Sequence, residues 1–299
     1  MPTITANGIA IAYQAEGAGP PLVMLHGATS TAREDWAHQR PLFRRAFRLY
    51  LVDARGHGAT RWDAADGFTK EMMVADLLGF VDALGLETFH LAGFSMGAMT
   101  ALTFAIRHAE RLRTAVICGI DIQREPRSRV AARLMDPVRI ERDEPAWAAQ
   151  LERRHGAVQG AGAWKRLLPA IAADVAGQAL PTAAELRQAR VPSLLVYGDR
   201  DIFVPVDHAA ALHRQLPDAR LLVAPDCPHQ VMVSQPALFN QACGTFYRST
   251  EAIARQRSTA RPVPSPTSAP MDGAAVLDPA ASDTSANDEL DPAWRDAWG

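Results

Sequence analysis

Six short apolar runs, each bounded by Gly, Pro or Asp, constrain the fold more than any other feature of the chain. Runs of this kind are typical of strands buried on both faces, as in a parallel sheet. They lie at residues 21–26, 48–53, 88–93, 112–119, 191–198 and 219–225. The stretches between them have helical spacing, most clearly 69–84, where Thr69 can cap a helix and Gly85 can end it. The alternation predicts an α/β fold, a mostly parallel twisted sheet with helices on both faces.

Two further segments extend this core. Residues 3–6 and 9–16, joined by Asn7-Gly8, predict a hairpin that adds antiparallel strands at one edge of the sheet. Residues 122–187 contain no convincing strand, and their apolar spacing predicts a helical insertion. The expected core therefore consists of residues 1–121 and 188–248.

The composition changes at residue 249. The segment 249–299 contains a Pro/Ser-rich stretch and an acidic end, and it has too few apolar residues to fold alone. We expect a disordered tail. The alternative is that Trp294 and Trp298 dock a short helix on the folded core or on a partner, because an exposed Trp is costly unless it finds a pocket.

Composition excludes several classes of protein. With 48% hydrophobic and 21% charged residues, the 299-residue chain is typical of a globular protein with a large core. A net charge of -2 argues against nucleic-acid binding, and no apolar run is long enough to suggest a membrane partner. The three cysteines form no C-x-x-C pair, which favours reduced thiols and a cytoplasmic location. No metal-ligand or dinucleotide motif is present, so neither a metal nor a cofactor is expected.

Gly93-Phe94-Ser95-Met96-Gly97 carries the strongest chemical signal. This G-x-S-x-G directly follows an apolar strand and precedes a helix-like run, 98–108, which is the context of a nucleophilic serine. A sharp strand-to-helix turn needs very small residues on both sides of the serine, and glycine provides them. The turn is expected to raise the Ser95 hydroxyl above the sheet, beside unpaired N–H groups of the helix start.

An activated serine needs a base, and the base needs a carboxylate to orient it. The predicted strand 191–198 runs into Asp199 and Asp201, and the next strand, 219–225, runs into His229. Because the carboxyl ends of parallel strands meet at one edge of a sheet, these groups are expected beside Ser95. Either aspartate is a candidate for the acid.

Five segments in this order resemble the α/β-hydrolase fold superfamily, and the resemblance covers residues 3–248. They are Leu25-His26-Gly27-Ala28, the DARGHG of 53–58, GFSMG of 93–97, GDRDIFVP of 198–205 and PHQVMVSQPALF of 228–239. The likeness is nearest to serine esterases, enol-lactonases and non-haem haloperoxidase-like members. The chain departs from the family pattern at Pro228, where glycine usually precedes the histidine, and at Ala98, where a second glycine commonly follows the elbow.

The resemblance implies a catalytic triad in which Ser95 is the nucleophile, His229 the base and Asp201 the acid. Asp199 is then expected to hold the turn by binding backbone amides. The oxyanion hole is expected to consist of the backbone N–H of Met96, which follows the nucleophile, and that of Ala28, by resemblance.

Such a site implies hydrolysis of a small carboxylic ester or lactone through an acyl-enzyme. The insertion is expected to form a lid, with a substrate pocket lined by Phe94, Leu134, Trp147, Trp164 and Leu168. One alternative is hydrolysis of a carbon-carbon bond, although those relatives commonly carry Asn where Phe94 stands. Others are cofactor-free perhydrolysis or halogenation at the same triad, and a non-catalytic hydrolase-fold protein that binds a partner through its tail.

Overall fold

The computed structural model describes residues 1–259, which form an eight-stranded sheet with helices on both faces. The strands are β1 (Thr3–Ala6), β2 (Ile9–Glu16), β3 (Pro21–Leu25), β4 (Arg48–Val52), β5 (Phe89–Phe94), β6 (Leu112–Cys118), β7 (Ser193–Gly198) and β8 (Ala219–Ala224). Their order in the sheet is β1-β2-β4-β3-β5-β6-β7-β8. Strands β3 to β8 are parallel, and β1 and β2 join antiparallel at one edge. The predicted α/β fold and its edge hairpin are confirmed.

The helices alternate with the strands as the apolar spacing predicts. They are α1 (Ala32–Asp35), α2 (Arg40–Phe43), α3 (Lys70–Ala83), α4 (Met96–Arg107), α5 (Arg127–Leu134), α6 (Pro137–Asp143), α7 (Pro145–Gln159), α8 (Trp164–Gly177), α9 (Ala183–Leu186), α10 (Val206–Gln215), α11 (Val231–Ser234) and α12 (Pro236–Thr259). Thr69 caps α3, since its hydroxyl accepts from the Met72 amide, and Gly85 follows the helix at positive φ.

The sheet is covered on both faces because successive residues of its strands point to opposite sides. In β6, Ala115 and Ile117 belong to the core that includes Phe80 of α3, whereas Val116 belongs to the core that includes Trp36. All these side chains are buried. The two apolar layers hold the carboxyl ends of β3, β5, β7 and β8 in a fixed arrangement, and the candidate site lies at that edge.

Between β6 and β7 the chain forms the five helices α5 to α9 and no strand, as the spacing of 122–187 predicts. Helices α5 to α8 pack through a third apolar cluster of their own. It contains Ala131, Met135, Ile140, Leu151, Trp164, Leu167, Leu168 and Ile171, together with Ala28, Phe68 and Met73 from the core. The inserted helices therefore rest on the part of the core that carries the loop after β3.

Helix α12 continues past residue 248, where the sequence predicts that the folded core ends. The Thr250 hydroxyl donates within this helix to the carbonyl oxygens of Phe246 and Tyr247, and Glu251 lies 3.3 Å from the buried ring of His90. These contacts attach residues 250 and 251 to the folded core, past the predicted boundary. The predicted tail beyond that point, with Trp294 and Trp298, lies outside the described residues. No helix of residues 1–259 is both long and apolar enough to cross a bilayer.

Candidate active site

Ser95 occupies the turn between β5 and α4, with backbone angles of φ 51° and ψ −109°. A residue other than glycine at positive φ is strained, and such strain persists mainly where the surrounding structure enforces it. Here the turn is fixed on both sides. The Ser95 amide donates to Cys118 O (2.8 Å), and the Gly97 amide donates to His26 O (3.1 Å).

Gly93 and Gly97 allow this turn because neither position has room for a side chain. A Cβ on Gly93 would lie 2.3 Å from Gly97 O, and a Cβ on Gly97 would lie 2.7 Å from both His26 O and Leu25 O. These obstacles are backbone atoms, which cannot rotate away. Helix α4 can therefore begin directly against β5 and β3 only with glycine at both positions.

His229 lies between β8 and α11, and its Nδ1 is 2.7 Å from Asp201 Oδ2. The Asp201 side chain has 0% exposure, and its Oδ1 accepts from the amides of Phe203 (2.8 Å) and Val204 (3.2 Å). A carboxylate in this position holds the proton of the imidazole on Nδ1 and leaves a lone pair on Nε2. The Nε2 atom is buried, and no described residue forms a hydrogen bond with it, Ser95 included. It is free to take a proton from a reacting group.

Asp199 has a different set of partners. Its Oδ1 accepts from the Cys227 amide at 3.1 Å, so its side chain ties the turn after β7 to the turn after β8. The neighbouring Arg200 forms an exposed ion pair with Asp226. Of the two candidate acids, the structure thus places Asp201 on the His229 ring and Asp199 on the backbone.

Both backbone polar groups of Gly27, which lies in the loop after β3, form hydrogen bonds with side chains. Its N–H donates to Asp35 Oδ2 (2.8 Å), and its carbonyl oxygen lies 2.7 Å from His26 Nδ1. The Ala54 amide donates to His26 Nε2 (3.0 Å), so the proton of this ring is on Nδ1 and is donated to Gly27 O. Burial, reinforced by the neighbouring His57 ring, lowers the pKa of His26 well below its ordinary value, and the ring is neutral at pH 7. His26 and Asp35 therefore fix the peptide group that carries the Ala28 N–H.

The next two carbonyl groups of the loop are also engaged. His57 Nε2 lies 2.9 Å from Ala28 O, and Arg154 Nη1 donates to Thr29 O at 2.9 Å. Arg154 belongs to α7 and also pairs with Glu34, so an inserted helix helps to hold the loop. His26 and His57 thus contact the backbone carbonyl groups of this loop.

Two amides beside Ser95 remain without a partner. Among residues 1–259, no acceptor binds the N–H of Ala28 or that of Met96. Met96 is the first residue of α4, where helix geometry supplies no acceptor, and Ala28 sits in the loop whose other polar groups are engaged. Both residues border a cavity that Ser95 and His229 also line. Unpaired N–H groups in such a place can stabilise an oxyanion.

Ser95 and His229 line two adjoining spaces, which also share Ala28, Met135 and Phe203 in their walls. The main cavity has a volume of about 520 Å³ and extends beneath α5, α6 and α7. The side recess is narrower, with a volume of about 40 Å³, and lies between α4, α5 and α8. A volume of several hundred cubic ångströms suits a small molecule.

The structure brings three of the five predicted pocket residues to the main cavity, namely Phe94, Leu134 and Trp147. Trp164 and Leu168 line neither space, which corrects the expectation for these two. Both are buried in the apolar cluster of α5 to α8, and Trp164 Nε1 donates to Glu152. Apolar spacing on a helix predicts burial, but it does not distinguish burial against a neighbouring helix from burial against a ligand.

Several residues at the site escaped the sequence analysis. Asp35 and Arg154 hold the loop after β3, and Phe203 stacks beside His229 with ring centroids 4.5 Å apart. A second carboxylate-imidazole pair, Asp121 and His208, lies at 2.7 Å beyond the end of β6. Within the described part of the chain, no group of three or more His, Cys, Asp or Glu side chains is arranged to hold a metal ion.

Comparison with known proteins identifies the class to which this fold and site belong. The model of the alpha/beta hydrolase family matches residues 22–242, and the chain belongs to that family. It is 28% identical over 273 residues to 2-hydroxymuconate semialdehyde hydrolase of Pseudomonas sp. (strain CF600), covering 84% of this chain and 95% of that protein.

Solved structures agree in fold. A thermophilic esterase from Thermogutta terrifontis superposes with a TM-score of 0.66 at 25% identity, covering 83% of this chain and 98% of the esterase. The enol-lactonase from Burkholderia xenovorans LB400 gives a TM-score of 0.67 at 22% identity, covering 82% and 99%. The expected α/β-hydrolase fold is thereby confirmed.

Proposed function

We propose that this protein is a serine hydrolase that cleaves a small carboxylic ester or lactone through an acyl-enzyme on Ser95. One observation carries the proposal. A strained serine, an unpartnered imidazole nitrogen of His229, and the unpaired amides of Ala28 and Met96 all border the same space. Buried polar groups normally have partners, so their clustering without partners supports a site that a reacting carbonyl group completes.

The chemistry follows from these groups. Ser95 Oγ attacks the carbonyl carbon while His229 Nε2 takes its proton, and the resulting oxyanion accepts from the amides of Ala28 and Met96. Asp201 stabilises the imidazolium that forms. The imidazolium then gives its proton to the departing alkoxide, which leaves as the alcohol. A water molecule repeats the sequence on the acyl-enzyme, releasing the acid and restoring the Ser95 hydroxyl.

The inserted helices are proposed to act as a lid over this site. Leu134 of α5 and Trp147 of α7 line the main cavity together with Ser95, so a substrate in the cavity is enclosed between the sheet edge and the insertion. An enclosure of about 520 Å³ favours small esters and lactones over long-chain lipids. The predicted cytoplasmic location remains a prediction.

Carbon-carbon bond hydrolysis is the second candidate, because the relative from Pseudomonas sp. (strain CF600) is named for a ring-fission product. Phe94 disfavours it in this chain. The Phe94 ring packs against His229, with centroids 4.9 Å apart, and fills the space beside Gly27. The apolar ring of Phe94 cannot form a hydrogen bond with the second oxygen-bearing group of a ring-fission product. An ester or a lactone needs no hydrogen bond at that position.

The test begins with labelling by a fluorophosphonate and continues with a panel of short-chain p-nitrophenyl esters, lactones and a dienone ring-fission product. We expect wild-type protein to be labelled and to hydrolyse esters or lactones, and Ser95→Ala to lose both properties with its circular dichroism unchanged. Ser234→Ala, at an exposed serine of α11, is the matched control and should retain them. Turnover of the dienone alone supports the second candidate, and turnover that survives in Ser95→Ala contradicts the proposal.

A further inference from the structure

Arg127, the first residue of α5, is a buried cation at the candidate active site. Its exposure is 6%, and it lines the side recess together with Ser95 and His229. Its Nε and Nη2 atoms are buried, and neither is hydrogen-bonded to any residue that the structure describes. A guanidinium remains charged in proteins and carries five N–H donors in a planar fork.

Leaving such a group unpaired is costly, because burial removes its hydration and no hydrogen bond from the described residues compensates for that loss. Burial accordingly lowers the pKa of Arg127, with Asp121 and Asp174 opposing this effect and Arg124 adding to it. Neither carboxylate forms an ion pair with Arg127. Asp121 is bound to His208, and Asp174 accepts from the Lys70 amide. The local charges moderate the cost without satisfying the donors of the fork.

The rest of the recess fits the chemistry of a carboxylate. Its walls are mostly apolar. Among its lining residues Asp174 is the one acidic side chain, and it accepts from the Lys70 amide, while Gln178 contributes a further polar side chain whose Oε1 is buried without a partner. The oxygen and nitrogen of an amide exchange by a simple rotation, so Gln178 can turn an N–H toward an anion. A volume of about 40 Å³ can hold a carboxylate or a few water molecules.

We propose that Arg127, assisted by Gln178, binds a carboxylate of the substrate, so that the preferred substrates are half-esters of short dicarboxylic acids. The inference rests on the proposed function of Ser95, and it deepens that function by naming a substrate class. The scissile carbonyl lies at Ser95 while the free carboxylate lies in the recess. Because the two positions are fixed in the fold, one chain length between the two groups should be preferred.

The experiment compares monoethyl esters of succinic, glutaric and adipic acid with ethyl butanoate, pentanoate and hexanoate in a pH-stat. We expect kcat/KM for the best half-ester to exceed that of the neutral ester of equal chain length by about 10-fold or more. Arg127→Gln should lower it by about 10- to 100-fold, the usual worth of a charge-assisted hydrogen bond, and leave the neutral esters nearly unchanged. Arg127→Lys, which restores charge without the fork, should be intermediate.

Arg129→Gln is the matched control, since Arg129 lies on the same helix with a side chain 79% exposed and should affect neither substrate class. Thermal melting distinguishes a binding role from a structural one. Because Arg127 forms no hydrogen bond or ion pair in the described structure, Arg127→Gln should melt at or above the wild-type temperature. A large fall in melting temperature with equal loss of activity on both substrate classes overturns the proposal.

A binding measurement keeps this proposal separate from the proposed function. Calorimetry with monoethyl glutarate on the Ser95→Ala protein, with and without Arg127→Gln, reports carboxylate binding in the absence of turnover. Ser95-dependent hydrolysis that prefers neutral esters, with binding indifferent to Arg127, rejects the carboxylate site and leaves the hydrolase intact. Binding that depends on Arg127, without any Ser95-dependent hydrolysis, rejects the proposed function and supports the site.

Discussion

Replacing Asp201 by asparagine tests the triad directly, because the structure fixes the orientation that the new side chain would take. Asp201 Oδ1 accepts from two backbone amides, and Oδ2 faces His229 Nδ1. The oxygen of an asparagine would keep the two amide N–H groups, which turns its NH₂ group toward the imidazole. Two donors cannot face each other, so the His229 proton would move to Nε2. That nitrogen could then no longer accept the proton of Ser95.

The expected loss in kcat is about 10⁴-fold, the typical cost of holding the base of a serine triad in the wrong tautomer. Asp199→Asn is the matched control, since the two side chains are separated by one residue. An asparagine at 199 keeps an oxygen for the Cys227 amide and removes only a solvent-screened ion pair with the exposed Arg200. We expect kcat of Asp199→Asn to fall by less than about 5-fold, which corresponds to roughly 1 kcal/mol of activation free energy.

The assay is steady-state hydrolysis of the best substrate by wild type and both variants, and the Ser95→Ala protein gives the background rate without the nucleophile. Nitrogen NMR of the His229 ring supplies an independent readout, since the proton should lie on Nδ1 in wild type and on Nε2 in Asp201→Asn. Retention of more than a tenth of kcat by Asp201→Asn, or an equally large loss in Asp199→Asn, refutes the reasoning.

Two further predictions concern the support of the site. Gly97→Ala should abolish activity and lower the melting temperature, because the new Cβ would lie 2.7 Å from the backbone oxygens of His26 and Leu25 and from Leu25 Cβ. Gly177→Ala is the control. A Cβ at that position meets nothing within 4 Å, so activity and melting temperature should both stay unchanged. The second prediction concerns pH. Burial raises the pKa of Asp35 from 3.8 to about 6, so the folded chain binds the Asp35 proton more tightly than the unfolded chain does. As the pH rises from 4 to 6, this group should therefore lower the free energy of unfolding by up to about 3 kcal/mol. Asp35→Asn keeps an acceptor for the Gly27 amide and should reduce the slope of that part of the stability profile in denaturant titrations. A slope remains because burial also raises the pKa of Asp53 to about 6, and a slope unchanged from that of wild type contradicts the assignment to Asp35.

The elements that sequence analysis predicted correctly are those specified by local patterns. A buried parallel strand must be apolar along its length, and the turn at Ser95 needs Gly93 and Gly97 for steric reasons that any chain with this turn shares. The choice between Asp199 and Asp201 depends on which carboxylate faces a ring 28 positions further along the chain than Asp201. The spacing of residues in the sequence does not show which of the two carboxylates points toward the His229 ring. Only the resemblance to a known family favoured Asp201.

Arg127 illustrates the opposite case. In a sequence whose basic residues are almost all arginine, nothing local distinguishes it from Arg129, two positions later, which is largely exposed. The difference arises because α5 packs against α8, which buries the guanidinium of Arg127 in the recess and leaves that of Arg129 in solvent. Burial of a charged group is a tertiary property, so the sequence contains no signal for it.

The unpaired groups around Ser95 are best understood together. A neutral donor such as the Ala28 amide, a lone pair on His229 Nε2 and the cationic fork of Arg127 differ in charge and direction, yet all border one connected space. In the proposed reaction, two of these groups would be satisfied by a single ligand, whose developing oxyanion accepts from the Ala28 amide and whose remote carboxylate accepts from Arg127. The lone pair on His229 Nε2 would be satisfied by the proton of the attacking Ser95 hydroxyl. Folding leaves these groups unpaired at a cost in stability, and in the proposed function the reacting substrate completes the site. A ligand that offers only one of these two parts should therefore bind weakly, and one that offers both should be selected by the site as a whole.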